Sequence, residues 1–131
     1  MNIQLMLMEV NKILYVDDDE DDYEIFAEIV KAINAEVEII YLADACEIEK
    51  YLMPPFPDII VVDIQMPKLD GIECLKKIRA KKELDHVPVV MYSAVYSRVE
   101  EALNEGANHF MIKEASLENM KNTIMTTLGI K

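Results

Sequence analysis

Short apolar runs alternate along this chain with longer segments in which apolar residues recur at every third or fourth position. The runs predict five β-strands, which we place at residues 13–16, 37–42, 58–62, 87–91 and 109–112. The segments with the longer period predict five helices, which begin near Glu20, Asp44, Asp70, Ser97 and Ser116. A strict alternation of strand and helix is typical of an α/β doubly wound fold, in which helices cover both faces of a parallel sheet.

Two of the predicted helices begin with an acidic residue that can cap the helix. Glu47 stands three residues after Asp44, and Glu73 stands three residues after Asp70, which is the spacing of a capping box. Gly106 is expected to end the fourth helix, because glycine readily adopts the left-handed conformation that follows a helix C-terminus. The units follow one another without a linker, so we expect a single domain.

Polar side chains stand at the carboxyl ends of four predicted strands. Asp17 and Asp18 follow the first strand, Asp63 the third, Ser93 the fourth and Lys113 the fifth. The carboxyl ends of parallel strands meet at one edge of the sheet, and ligands of such folds bind there, where the strand order reverses. We therefore expect these side chains to form one site.

The three carboxylates at this edge would repel one another. A pair of unit charges ~5 Å apart at an effective dielectric constant of ~20 costs a few kcal/mol. A divalent cation or a raised pKa normally relieves such a cluster. The strand ends therefore predict a site for a hard metal ion.

Composition narrows the classes of function. The 131 residues include 13 basic and 25 acidic side chains, which gives a net charge of −12. This balance argues against binding to nucleic acids and to anionic membranes, because both need a basic surface. Cys46 and Cys74 belong to no metal or disulfide motif, so we expect a reduced, cytoplasmic protein. Residues 1–10 lack the features of a signal peptide and are interpreted as an N-terminal extension.

Four motifs occur in an order that resembles a known family. They read ILYVDDDEDD, DIIVVDIQMPKLDG, VPVVMYSA and GANHFMIK, and together they resemble the receiver domain of two-component response regulators. The likeness extends over residues 11–128, and we place the receiver domain at 11–131. It implies a flavodoxin-like sheet with the strand order 2-1-3-4-5. It also implies a cytoplasmic phosphorelay protein without turnover of an external substrate.

The resemblance assigns a role to each residue of the acidic edge. Asp63 matches the phosphoacceptor, whose carboxylate takes a phosphoryl group from a histidine kinase or phosphotransfer protein. Asp18 matches the direct Mg²⁺ ligand and Asp17 the residue that holds the ion through water. The third protein ligand of the family is a backbone carbonyl, here that of Gln65. A site with few carboxylates and several waters suits Mg²⁺ better than Ca²⁺.

Further positions match the residues that bind the phosphoryl group and transmit the change. Ser93 and Lys113 match the two side chains that bind phosphoryl oxygens, and Phe110 matches the aromatic switch residue on the fifth strand. The family often has tyrosine there, so phenylalanine implies a purely steric switch. The resemblance implies that the fourth helix, fifth strand and fifth helix bind the downstream partner, and it leaves a homodimer open. The lysine of the family usually precedes a cis proline, whereas Lys113 precedes Glu114.

Charge arithmetic agrees with these roles. Three aspartates and one lysine sum to minus two, so a single Mg²⁺ neutralises the site. A neutral site accepts an anionic phosphoryl group that the metal-free site would repel.

Three other interpretations remain open from the residues. Residues 17–28 place acids at positions 1, 3, 5 and 12 of a calcium loop, but Asp22 stands where that loop needs glycine. Asp17 and Asp19 fit the Asp-x-Asp of a metal-dependent phosphatase, in which Thr or Val is expected in place of Asp21. A receiver-like scaffold without phosphorylation is the third interpretation.

Overall fold

The computed structural model describes residues 9–131, which form one five-stranded parallel sheet. The strands are β1 (Lys12–Val16), β2 (Glu38–Leu42), β3 (Ile59–Asp63), β4 (Val89–Ser93) and β5 (His109–Ile112). Their order across the sheet is β2-β1-β3-β4-β5, and every neighbouring pair is parallel. The predicted doubly wound fold and its strand order are therefore confirmed. The bounds of the fifth strand are as predicted, and those of the other four differ by one or two residues.

Four α-helices and two 3-10 helices connect or follow the strands in the described part of the chain. They are α1 (Glu20–Ile33), the 3-10 helix η1 (Ala45–Tyr51), α2 (Gly71–Arg79), the short 3-10 helix η2 (Lys82–Leu84), α3 (Val99–Asn104) and α4 (Leu117–Leu128). The second predicted helix is thus 3-10 helix and not α-helix. It has seven residues and is soon followed by Pro54 and Pro55, so little chain is available for regular α-helical turns.

The predicted caps form, but the capping boxes do not. The side chain of Asp44 accepts a hydrogen bond from the backbone N–H of Cys46, and that of Asp70 accepts one from Ile72. The glutamate of each pair instead forms an ion pair with a lysine three residues later, Glu47 with Lys50 and Glu73 with Lys76. Gly106 does follow α3 with a φ of +104°, as expected.

The core has one layer on each face of the sheet. Alternate residues of β1 divide between them: Tyr15 faces the layer under α1 and α4, and Leu14 faces the layer under η1, α2 and α3. All five residues of β3 are buried, because this strand has a neighbour on each side and helices on both faces. Cys74 lies in the core, where burial raises the pKa of its thiol to about 12.

The N-terminal extension predicted at residues 1–10 lies, for its first eight residues, outside the described part of the chain. Val10 is buried in the same layer as Ile130. Between residues 9 and 131, every helix is too short or too polar to cross a membrane.

Candidate functional site at the carboxyl edge of the sheet

Strand pairing brings the predicted acidic residues together. Val16 of β1 lies opposite Val62 of β3, so Asp17 and Asp63 leave the sheet side by side. One carboxylate oxygen from each of Asp17, Asp18 and Asp63 lies within 4.8 Å of the others. Asp17 and Asp63 are buried, and Asp18 is exposed. The three side chains therefore form one cluster with an open side.

Asp17 is held by three donors within the protein. Its Oδ1 accepts a hydrogen bond from the backbone N–H of Asp19 at 3.0 Å. Its Oδ2 accepts one from the Tyr15 hydroxyl at 2.8 Å and one from Lys113 Nζ at 3.2 Å. Tyr15 is fully buried, and its pKa is raised by burial and then by the charge of Asp17. The sequence prediction missed Tyr15, although the two-residue spacing puts it on the same face of β1 as Asp17.

Asp63 lies in a strongly perturbed environment. Burial has the largest effect and raises the pKa of its carboxyl group. The positive charge of Lys113 lowers this pKa and the negative charge of Asp17 raises it, and together these effects bring it to about 7. The backbone N–H of Gln65 donates to Asp63 Oδ1 at 3.2 Å. Gln65 lies in the loop between β3 and α2. The start of α2 can approach the end of β3 closely because residue 71 is glycine: a Cβ there would lie 2.1 Å from the Asp63 carbonyl oxygen.

Lys113 extends from the end of β5 into the acidic cluster. Its Nζ lies 2.7 Å from Asp22, 3.2 Å from Asp17 and 3.5 Å from Asp63. Burial alone would lower the pKa of Lys113, but the hydrogen bond to Asp22 and the charges of the other two carboxylates outweigh it and raise the pKa. The ammonium group also lies 5.0 Å from the ring centre of Tyr92.

The ion pair with Lys113 corrects one expectation for the acidic start of α1. From the sequence, Asp19 to Asp22 are expected to act mainly as charge at the start of a helix, where the helix dipole favours carboxylates. This holds for Asp19, whose side chain caps α1 by accepting hydrogen bonds from the N–H groups of Asp21 and Asp22. Asp22, in contrast, makes the shortest of the three ion pairs of Lys113. The spacing along the chain does not show that the first turn of α1 faces the end of β5, so this contact was not predicted.

The remaining predicted residues surround this cluster. Ser93 is buried at the end of β4; its Oγ accepts a hydrogen bond from the N–H of Val95, and its carbonyl accepts one from the N–H of Lys113. Phe110 on β5 is half-buried and stacks against Tyr96, with ring centres 6.3 Å apart. In the described part of the chain the cis peptide bond is Pro54–Pro55, so the bond after Lys113 is trans.

A cleft of about 330 Å³ lies above this edge of the sheet. Its wall is formed by Asp18, Asp19, Asp22, Asp63, Gln65, Ala94 and Lys113. Oxygen atoms dominate the cleft, with a single ammonium group among the lining side chains. Such a set of donors can hold a hard divalent cation and can present a carboxylate to an anionic group once the cation reduces the repulsion.

The carboxylate cluster lies between β1 and β3, where the strand order reverses and where ligands bind in open α/β sheets. Residues 13–125 match the family model of the response regulator receiver domain. The chain belongs to this family, which acts in two-component signal transduction.

A curated relative agrees with this assignment. The protein-glutamate methylesterase/protein-glutamine glutaminase of Trichodesmium erythraeum (strain IMS101) is 33% identical over 112 residues, which cover 79% of this chain and 31% of that protein. The first curated relatives that match are all longer, and the chain spans between 31% and 61% of their length. What they share with this chain is the receiver domain.

Solved structures of response regulators have the same fold. The phosphorylated cyanobacterial phytochrome response regulator RcpA superposes with a TM-score of 0.81, at 24% identity and with 91% of both chains covered. The Mn²⁺-bound form of response regulator Rcp1 gives a TM-score of 0.78 at 23% identity, covering 92% of this chain and 95% of that one. At this level of identity the likeness shows the fold.

Proposed function

We propose that this chain takes a phosphoryl group onto Asp63 from a histidine kinase or a phosphotransfer protein and thereby changes its affinity for a partner. The observation that carries this proposal is the cluster of Asp17, Asp18 and Asp63, whose oxygens lie within 4.8 Å of one another beside Lys113. A nucleophilic carboxylate, a set of metal ligands and a cation for the phosphoryl oxygens are the parts that the reaction needs.

The oxygen donors of the cluster fit Mg²⁺. Asp18 is exposed on the open side of the cluster and would bind the ion directly, together with Asp63 and the carbonyl of Gln65. Both oxygens of Asp17 already accept hydrogen bonds, so Asp17 would hold the ion through water. When bound, Mg²⁺ neutralises charge on the carboxylates and the phosphoryl oxygens.

Phosphoryl transfer then needs little more than position and charge. A carboxylate oxygen of Asp63 forms a bond to phosphorus as the bond from phosphorus to the donor histidine nitrogen breaks, and the imidazole leaves with the electron pair. Lys113 and Ser93 bind oxygens of the transferred group. Because Asp63 attacks as a carboxylate, the deprotonated form is the reactive one.

The consequence for partners follows from Ser93 and Phe110. Movement of Ser93 toward the phosphoryl group would let Phe110 turn inward and leave Tyr96, on which it now stacks. Phenylalanine has no hydroxyl group, so packing alone would drive this step. The surface of α3, β5 and α4 would then present a changed face to the downstream partner.

A mass measurement tests the proposal. The protein is incubated with Mg²⁺ and acetyl phosphate or phosphoramidate, and its intact mass is read with time. We expect a gain of one phosphate in the wild type and none in Asp63→Asn. Steady hydrolysis of phosphoesters that depends on Asp17 would instead show a metal-dependent phosphatase, and a folded chain that gains no phosphate would be a scaffold.

A further inference from the structure

Asp22 links the first helix of the chain to the lysine of the site. It lies in the first turn of α1, and its Oδ2 is 2.7 Å from Lys113 Nζ. The phosphoacceptor Asp63 is a more distant partner of the same ammonium group, at 3.5 Å. The pair is partly shielded from solvent, since the side chain of Lys113 is 17% exposed and that of Asp22 is 35% exposed. The closest ion pair of Lys113 is therefore with an acid outside the metal cluster.

We infer that Asp22 is a positioning residue that competes with the phosphoacceptor for Lys113 and slows phosphorylation. This inference rests on the proposed function and adds a residue that regulates the rate of the same reaction. A lysine that must bind a phosphoryl oxygen has to shift its contacts toward Asp63. In the resting geometry the shortest contact holds it toward α1 instead.

The negative charge of Asp22 should slow phosphorylation, as its ion pair with Lys113 does. The three carboxylates of the metal cluster, Asp22 and the ammonium group of Lys113 together carry a charge of minus three. One Mg²⁺ leaves a charge of minus one, whereas the site without Asp22 would be neutral. A negatively charged site repels an anionic phosphodonor, and the repulsion is felt over the short distances of this cleft.

Asp21 supplies a matched comparison for Asp22. Both residues lie in the first turn of α1, where the helix dipole favours any carboxylate. Asp21 is exposed, and Lys113 pairs with Asp22 and not with its neighbour. An effect of Asp22 that Asp21 does not share therefore comes from the ion pair and not from helix-start charge.

The test compares four variants, Asp22→Asn, Asp22→Glu, Asp21→Asn and Asp63→Asn, with the wild type. Intact-mass spectrometry gives the initial rate of phosphorylation by acetyl phosphate at saturating Mg²⁺. We expect Asp22→Asn to react about three- to tenfold faster, as removal of one nearby charge predicts. Asp21→Asn should stay within about twofold of the wild type, since its charge is more exposed to solvent. Asp22→Glu, which keeps the charge, should return the rate toward that of the wild type.

Titration calorimetry with MgCl₂ gives a readout that does not depend on phosphorylation. Loss of Asp22 removes a negative charge and frees Lys113 to pair with Asp17 and Asp63. We therefore expect Asp22→Asn to weaken Mg²⁺ binding by about three- to tenfold, and Asp21→Asn by less than about twofold. A merely structural role would not raise the rate while it weakens the metal affinity.

The outcomes separate the inference from the proposed function. Thermal unfolding first establishes that each variant is folded. Phosphorylation of the wild type and not of Asp63→Asn, with Asp22→Asn no faster than Asp21→Asn, would overturn the role of Asp22 alone. A wild type that gains no phosphate would overturn the proposed function and this inference with it.

Discussion

At the scale of single residues, the site holds charges that the protein alone does not balance. Asp63 shows this most clearly, because burial raises the pKa of its carboxyl group to about 7 against an ordinary value of 3.8. An acid whose pKa is higher in the folded state binds its proton more tightly there. Its contribution to stability is therefore greatest at low pH and is lost as the pH rises from about 4 to about 7.

The raised pKa of Asp63 predicts how the stability of Asp63→Asn depends on pH in the absence of metal. At about pH 8 the variant should be more stable than the wild type by roughly 1–3 kcal/mol, because it buries no charge at this position. Near pH 4.5 the difference should largely disappear, since Asp63 is then protonated. Urea unfolding at both pH values in the presence of EDTA measures it, with Asp21→Asn as the control for loss of an exposed charge. A constant difference between the two pH values would contradict the assignment.

Two buried tyrosine hydroxyls offer a second test at this scale. The Tyr15 hydroxyl donates to Asp17 at 2.8 Å, whereas the buried Tyr41 hydroxyl has no partner among the described residues. We expect Tyr15→Phe to lower the free energy of unfolding by about 1–3 kcal/mol, because a buried carboxylate loses a donor. Tyr41→Phe should be neutral or stabilising, since it removes an unsatisfied group. Equal losses in the two variants would show that ring packing, and not the hydrogen bond, is measured.

At the scale of elements, the site depends on how closely α2 approaches the end of β3. A Cβ at Gly71 would lie 2.1 Å from the Asp63 carbonyl oxygen and 2.6 Å from the Cα of Ile64, so the backbone must move to admit it. Gly71 also donates its N–H to the Ile64 carbonyl at 2.8 Å. The start of α2 and the backbone of Asp63 are therefore in close contact.

Gly71→Ala should consequently disturb both stability and phosphorylation. We expect a loss of about 2 kcal/mol or more, with slower gain of phosphate from acetyl phosphate, because Asp63 is displaced. Gly129→Ala is the control: Gly129 ends α4 at a φ of +69°, far along the chain from the site, and should cost about 1 kcal/mol without changing the rate. Unfolding by urea and the intact-mass assay give the two readouts. A normal rate in Gly71→Ala would show that the loop adapts without moving Asp63.

Most of the secondary-structure elements could be predicted from the sequence, but not all of their details. The spacing of apolar residues, and the polar or turn-forming residues that end each run, were sufficient to predict all five strands and their polar ends. This is because a buried parallel strand is apolar along its length. These patterns did not reveal that residues 45–51 wind as a 3-10 helix, since that depends on the short connection before Pro54. The strand order came from the resemblance and not from the spacing. Asp22 was missed because its role depends on a contact between α1 and the end of β5. Tyr15 was missed although it stands only two residues before Asp17, on the same face of β1.

At the scale of the whole molecule, folding creates a repulsion that the unfolded chain does not have. Asp17 and Asp63 are distant in sequence and meet only when β1 pairs with β3. The net charge of −12 adds a general repulsion that any salt screens. A divalent cation at the cluster would act differently, because it would bind the folded state and have no such site in the unfolded chain.

Mg²⁺ should therefore stabilise the chain more than an equal ionic strength of NaCl. At about one hundred times its dissociation constant, the ion should add about 2.7 kcal/mol to the free energy of unfolding. Asp18→Asn should lose most of this increment, because it removes the exposed carboxylate of the cluster, while its response to NaCl should match that of the wild type. Urea unfolding in matched MgCl₂ and NaCl solutions measures both effects. If the two salts stabilised the wild type equally, the cluster would be only part of the general negative charge and not a metal site.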